Sequence, residues 1–252
     1  MPEGVAAAYD TFAPVYDEFN YRNDYEMWFG ALLPELEARG LQRGRLLDVG
    51  CGTGKAFEPM LRRGWEVTGC DISAGMLAEA RRKFGDRVPL ELADVRELPR
   101  LGEFELVWGL NDVVNYQVED GDLERTLAGL RANLAPDGLL LFDGNTFGLF
   151  QSHFAEGGEN EMSVGEWQWE GVSTEVVPGG IFESEISGGG LETRRHRERH
   201  YPEPVVREAM DAVGLECLAA LGQSETDLQV ILTEPADEQR DYKIVYIGRR
   251  AG

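Results

Sequence analysis

The stretch Arg45-Leu46-Leu47-Asp48-Val49-Gly50-Cys51-Gly52-Thr53-Gly54 constrains this chain more than any other, because an apolar run ends abruptly in glycines at three alternate positions. It reads as a buried parallel strand that breaks into a tight turn. Glycine is needed in such a turn where a side chain would block close approach of the backbone to a small-molecule ligand, and where φ must be positive. The spacing restricts the ligand. In the dinucleotide fingerprint GxGxxG the third glycine would fall at position 55, but this chain has Lys55 there and Gly54 one step earlier.

GxGxG preceded by Asp48 resembles motif I of the class I S-adenosylmethionine-dependent methyltransferases. The resemblance implies S-adenosylmethionine as cofactor and S-adenosylhomocysteine as product, with Asp48, Gly50, Cys51 and Gly52 around it. After Gly54, residues Ala56, Phe57, Met60 and Leu61 recur at helical spacing until Gly64 stops the helix. Trp65 to Asp71 reads as a second strand ending in an acid, placed where a carboxylate accepts from both hydroxyls of an unphosphorylated ribose. Asp71 alone does not separate adenosylmethionine from NAD; the glycine spacing does. Asp71 to Leu77 also resembles the turn after the second strand of these methyltransferases, with Ile72 and Met76 near the adenosine.

Val88 to Ala93 reads as a third strand, and Asp94-Val95 after it looks like the family's adenine-binding turn. Phe104 to Leu110 reads as a fourth, running into the polar cluster Asn111 to Tyr116. Ligands of open α/β sheets sit outside the carboxyl ends of the strands, so Leu110 and Asn111 are expected at the cofactor, and Asn111, Asn115 and Tyr116 around the acceptor.

The 252 residues suffice for one domain with a modest insertion. No apolar run reaches membrane-spanning length, and Met1 to Gly4 lacks the basic and apolar regions of a signal peptide, so a cytoplasmic location and no membrane partner are expected. Cys51, Cys70 and Cys217 form no CxxC pair, which argues against a disulfide framework and against a bound metal. The net charge of −22 repels a phosphate backbone, so a nucleic-acid partner is not expected. The same field suits a neutral or cationic small molecule.

The expected fold class is α/β: a Rossmann-like seven-stranded sheet with helices on both faces. Residues 1–40 would form an N-terminal helical cap, 41–150 and 203–252 the cofactor-binding domain, and 151–202 an antiparallel β insertion serving acceptor binding or oligomerisation. The fifth strand is expected at Leu139 to Asp143, after the turn Pro136-Asp137-Gly138. Val164 to Val172, Ile181 to Ile186 and Leu191 to Tyr201 read as strands of the insertion. A helix from Glu203 to Val213 and strands near Glu216 to Leu221 and Tyr242 to Arg249 complete the pattern; the antiparallel course of the last strand is implied by the resemblance.

Tyr9 to Phe19 looks like the N-terminal segment of small-molecule methyltransferases, in which paired aromatics close over the sulfonium. A sulfonium is a cation that aromatic faces attract, and phenol oxygens can orient an acceptor, so Tyr9 and Tyr16 are the candidate catalytic residues. The competing reading is an aromatic packing stripe of Tyr9, Phe12, Tyr16 and Phe19. Trp28 resembles a position shielding the methionine end of the cofactor. On a strand, Arg195, Arg197 and Arg199 would face one way, and Arg194, His196, Glu198 and His200 the other. This basic run reads as a solvated outer face, with a subunit contact and hence a homo-oligomer left open; the alternative is an acceptor-site wall offering a carboxylate contact or a histidine base. His153, in the loop expected after strand five, is a further base candidate.

The resemblance spans nearly the whole chain, strongly in 45–77 and 104–147 and weakly in the insertion. Asn111 to Tyr116 together with Phe142 to Phe147 is similar to bacterial small-molecule methyltransferases, including N-methyltransferases of glycine type and of antibiotic biosynthesis. The implied activity is methyl transfer to a small-molecule acceptor, on an amine nitrogen. The alternatives are a small-molecule O-methyltransferase with a histidine base and a non-catalytic S-adenosylmethionine-binding protein.

Overall fold

Strand β1 (Arg45–Val49) is apolar on both faces because both are covered. In the computed structural model, which describes residues 2–21, 23–41, 43–154, 161–164, 166–188, 190–226 and 229–252, it pairs in parallel with β2 (Glu66–Asp71) and with β4 (Phe104–Gly109). Leu46, Leu106 and Leu141 face a core built with helices α3 (Tyr25–Ala38), α4 (Glu58–Arg62) and α5 (Ala74–Phe84). Leu47, Val107 and Leu140, one residue along each strand, face a second core with α6 (Asp122–Ala132) and α8 (Glu203–Ala212). This alternation across a doubly covered sheet is why the strands read as unbroken apolar runs.

With β3 (Leu90–Leu92), β5 (Leu134–Asn145), β10 (Leu215–Thr226), β11 (Gln229–Thr233) and β12 (Lys243–Arg250), the sheet has the order β11-β10-β12-β5-β4-β1-β2-β3. The chain runs outward from β1 to β3 and then returns to β4 on the other side of β1. The crevice at that reversal, outside the carboxyl ends of the strands, is where such sheets bind ligands. Strand β12 runs antiparallel to both neighbours. The seven expected strands are all present. The eighth, β11, forms an edge hairpin with β10. Its Gln229-Val230-Ile231-Leu232-Thr233 carries a β-branched run that marks it.

Several boundaries differ from the sequence reading. The helix after the glycine turn covers only Glu58–Arg62, because the preceding residues are spent on the turn and Pro59 favours a helix start just there. Strand β5 begins at Leu134, and Pro136-Asp137-Gly138 lies within it: Phe104 pairs with Leu134 but Leu106 with Leu139, so the extra residues leave the ladder as an irregularity. Residues expected in a loop after β5 form helix α7 (Phe147–Phe154), whose Phe150 stacks on Phe182 at 4.3 Å.

The insertion is a separate antiparallel sheet of β6 (Glu161–Val164), β7 (Trp167–Gly171), β8 (Ile181–Gly188) and β9 (Leu191–Arg199), in that order. The segment read as a single strand from 164 to 172 contributes to two of these, β6 and β7. The N-terminal segment forms α1 (Pro2–Phe12), a 3-10 turn at Ala13–Val15 and α2 (Tyr16–Phe19), lying between α5 and β9.

Candidate active site

The glycine turn closes the carboxyl end of β1. Gly50, Gly52 and Gly54 all have positive φ, from 53° to 85°. At Gly50 a side chain is excluded twice, since a Cβ would also lie 2.7 Å from Val113 Cγ2. The turn is held by Gly50 N–H and Cys51 N–H, which both donate to the Cys70 carbonyl, at 2.8 and 2.9 Å. From the end of β2, Asp71 accepts from Gly52 N–H and Ser73 N–H, each at 2.8 Å, one on each carboxylate oxygen. One further lone pair per oxygen is thereby left for a pair of ligand hydroxyls. Burial holds the Asp71 carboxyl above its usual range, against the pull of these N–H groups.

Asp48 is 1% exposed and lines the same cleft; the buried Trp108 indole N–H faces its carboxyl without closing a well-formed hydrogen bond, which leaves Oδ2 short of a donor. Burial pushes its carboxyl well up. An unpartnered buried carboxyl oxygen is costly to maintain without a donor, and an ammonium group supplies one.

The N-terminal segment roofs the cleft. Asp10 accepts from Ser73 Oγ at 2.6 Å and from Gly75 N–H at 2.8 Å, anchoring α1 to the start of α5. A Cβ at Gly75 would lie 2.8 Å from the Asp10 backbone, so only glycine admits this approach. Asp17 accepts from Thr53 Oγ1 and from Lys83, and Lys55 donates to the Asn20 carbonyl. These bonds aim Tyr9 and Tyr16 into the cleft. Phe12 turns away, packing edge-on against Phe19 at 5.1 Å and Trp167 at 5.2 Å. The aromatic stripe therefore divides into two cleft-lining phenols and two packing phenyls.

Tyr9 OH donates to Tyr116 OH at 2.8 Å, and Tyr116 OH lies 3.5 Å from His196 Nδ1 on β9. Burial lowers His196 to about 4, so its imidazole is neutral at pH 7. Burial raises the Tyr9 and Tyr116 phenols well above their ordinary value, which keeps both protonated.

Asn111 and Asp112 adopt φ of 59° and 58°, unusual for residues with a Cβ. Asp143 holds this corner, accepting from Asn111 N–H at 2.7 Å and Asp112 N–H at 3.1 Å, and pairing with Lys243 Nζ at 2.7 Å. At the far end of the cleft, Asp94 accepts from Arg96 Nε at 2.9 Å and from Arg96 N–H at 3.0 Å. Burial would raise the Asp94 carboxyl, but these bonds hold it below its usual value, and part of its accepting capacity is committed to Arg96.

One cleft of about 160 Å³ collects Tyr9, Tyr16, Asp48, Gly50, Cys51, Gly52, Asp71, Ile72, Met76, Asp94, Val95, Leu110, Asn111 and Tyr116. Three predicted residues do not line it. Trp28 is buried between Tyr25 and Lys243, whose Nζ sits 5.8 Å from its ring. Asn115 is spent on architecture: its Oδ1 accepts from Asn145 N–H at 2.9 Å and its Nδ2 donates to the Arg199 carbonyl at 2.8 Å, while Arg199 N–H returns to the Asn115 carbonyl at 2.7 Å. His153 lies on α7 against Trp169, not in a loop.

The basic run alternates as expected, but its inner face is not solvated. Arg195 pairs with Glu183 and Glu185 on the outside, whereas His196 and His200 are buried. Sequence reasoning missed Tyr25, whose OH accepts from Asn111 Nδ2, and Arg96, both lining the cleft. Arg96 follows Asp94 by two residues, a spacing that suits an acid capping a short turn.

A cleft at the switch point beside β1, in a sheet whose final strand runs antiparallel between β5 and β10, belongs to the Rossmann-like fold of the class I S-adenosylmethionine-dependent methyltransferases. The solved structure of an S-adenosylmethionine-dependent methyltransferase from Clostridium acetobutylicum superposes with a TM-score of 0.77 at 22% identity, covering 97% of this chain and 100% of the other. Residues 46–138 match the family described as a methyltransferase domain. The putative methyltransferase YqeM of Bacillus subtilis is 36% identical over 138 residues, 54% of each chain. The glycine/sarcosine N-methyltransferase of Parasynechococcus marenigrum is 29% identical over 213 residues, 80% of this chain and 72% of that one. The chain spans about half the length of the first curated relatives it matches, 53% to 56% of each.

Proposed function

We propose that this protein transfers a methyl group from S-adenosylmethionine to a small-molecule acceptor, at an amine nitrogen. The observation that carries the reading is the continuity of one cleft from the glycine turn and Asp71 to the phenols of Tyr9, Tyr16 and Tyr116. The residues present fit the cofactor. Asp71 has lone pairs left for the ribose hydroxyls, Asp48 Oδ2 lacks a donor that the methionine ammonium provides, and Asp94 with the Val95 backbone faces the adenine end. When bound, S-adenosylmethionine supplies an electrophilic methyl group on a cationic sulfur. The phenols surround that end of the cleft, exclude water and orient the acceptor; alignment of this kind contributes roughly 7–11 kcal/mol. A neutral amine is itself a good nucleophile and needs little more. The similarity to a glycine/sarcosine N-methyltransferase supports nitrogen as the accepting atom.

A hydroxyl acceptor is the second reading, favoured by one observation: the chain from Tyr9 through Tyr116 leads to an unprotonated imidazole at His196, which burial, by lowering it to about 4, leaves a weaker base than oxygen would ordinarily call for. Calorimetric titration with S-adenosylmethionine, S-adenosylhomocysteine and NAD tests the cofactor, and released S-adenosylhomocysteine with matched amines and alcohols tests the acceptor. Binding of the first two with turnover on amines is expected. Turnover on alcohols alone would transfer the reading to oxygen, binding without turnover to a non-catalytic sensor, and binding of NAD alone would overturn it.

A further inference from the structure

Beside the tyrosines lies a group of charges that the reading above does not use. Asn145 Nδ2 donates to Asp112 Oδ2 at 3.2 Å and to Glu198 Oε2 at 3.0 Å, so a carboxylate after β4 and one on the inserted sheet share a single amide. Asn145 is 6% exposed and its Oδ1 has no partner. Lys243, the cation of this group, is committed to Asp143. Three carboxyls, one buried and two half-buried, thus surround one ammonium, where an uncompensated negative charge is expensive. Burial is the largest influence on both Asp112 and Glu198 and holds each above the usual carboxylate range. Yet both retain accessible surface. Tyr9 and Tyr116, which line the cleft, feel both carboxyls, and Asp112 lies between the cleft-lining Asn111 and Val113, while His196 shares a strand face with Glu198.

We propose that Glu198 and Asp112 together form the acceptor's cation subsite, Asp112 holding a protonated amine and Glu198 taking its proton before methyl transfer. The proposal rests on the methyltransferase reading and names its substrate class, a small molecule with a primary or secondary ammonium group. Arrival of the ammonium displaces to solvent the proton that Glu198 carries; the N–H bond of the ammonium then breaks and its proton passes to the Glu198 carboxylate so formed. The freed pair forms the new N–C bond while the S–C pair stays on sulfur, and one proton per transfer leaves to solvent. Asn145 positions the two carboxyls, Asp143 and Lys243 hold the corner that carries Asp112, and His196 stays neutral beside them. The inserted sheet would then supply the proton acceptor, and the sheet core the anchoring charge.

Sinefungin, which carries an ammonium-bearing carbon in place of the methylated sulfur, probes this subsite, and S-adenosylhomocysteine is its counterpart with no charge at that position. In calorimetric titrations Glu198→Gln and Asp112→Asn should each weaken sinefungin by about tenfold or more and S-adenosylhomocysteine by less than about threefold. Glu198→Asp, which keeps the charge, should retain most of the preference. Sinefungin binding to the unaltered protein should release protons, seen as a heat that changes with the ionisation enthalpy of the buffer, and the release should vanish in Glu198→Gln. Equal weakening of both ligands would make the pair structural, and no weakening of either would place it away from the site; each overturns the proposal while the cofactor reading stands. Failure of the unaltered protein to bind S-adenosylhomocysteine would instead remove the reading on which it rests.

Discussion

Asp71 uses one lone pair of each oxygen on Gly52 and Ser73, so its effect on a ligand can be separated from its effect on the turn. Asp71→Ala should weaken S-adenosylhomocysteine by roughly 1.5–3 kcal/mol, about tenfold or more, as for a lost charge-assisted hydrogen bond. Unchanged affinity in a titration would mean that the carboxylate serves only the backbone. Tyr9→Phe removes the donor to Tyr116 while keeping the ring, and should slow turnover more than it weakens cofactor binding; equal losses would make Tyr9 a packing residue. The glycine turn, Asp71 and the Asp94-Val95 pair were legible because each sits at the end of one strand, where local pattern and position coincide. Asp112 and Glu198 were not singled out. They meet only through folding of a distant insertion, and nothing local marks an acid on a half-buried strand as sharing an amide with one after β4.

Among elements, the cap is held by a few polar bonds that pH can reach. Burial would raise the Asp17 carboxyl, but Lys83 and Thr53 hold it below its ordinary value. A depressed carboxyl contributes stability above its unfolded pKa and loses it as pH falls through the folded one, so the cap should loosen below about pH 4. Asp17→Asn should loosen it at neutral pH, giving faster amide exchange in α1 and α2 and faster release of S-adenosylhomocysteine. Unaltered exchange there would show that Asp10 and the aromatic packing suffice. Helix α7 is a different case, fixed by apolar contact. Phe150 is 2% exposed and stacked on Phe182, so Phe150→Ala should cost about 3–5 kcal/mol in denaturant unfolding. Its signal, Phe147, Phe150 and Phe154 at helical spacing, was present but short. Strands β1, β2 and β4 were plain because burial on both faces keeps most of their residues apolar and confines the charges largely to their ends, whereas the edge strand β11 has only a few apolar residues to mark it.

For the molecule as a whole, charge dominates. A net −22 is self-repelling, and the thermal midpoint should rise as salt is added from low ionic strength; a midpoint indifferent to salt would mean that the paired surface acids already balance locally. The buried acids act in the opposite direction to Asp17. Asp71, Asp112 and Glu198 have raised pKa values, so the stability linked to them is present below their unfolded values near 4 and is lost as pH rises through the folded ones, about 8 for Glu198. Glu198→Gln should flatten the decline in unfolding free energy between about pH 5 and 8, and an unchanged decline would assign it to the other acids. The fold positions these groups by joining two sheets, and at that joint Asn115 and Arg199 exchange hydrogen bonds through both backbone and side chain and set the register of β9 against the core. For anyone seeking to retarget such a scaffold, that exchange draws the cutting line. A transplanted hairpin sheet would bring a new wall for the acceptor, but it would lie in place only if the recipient kept an asparagine at the position of Asn115, so the smallest portable unit includes one residue far from the segment it governs.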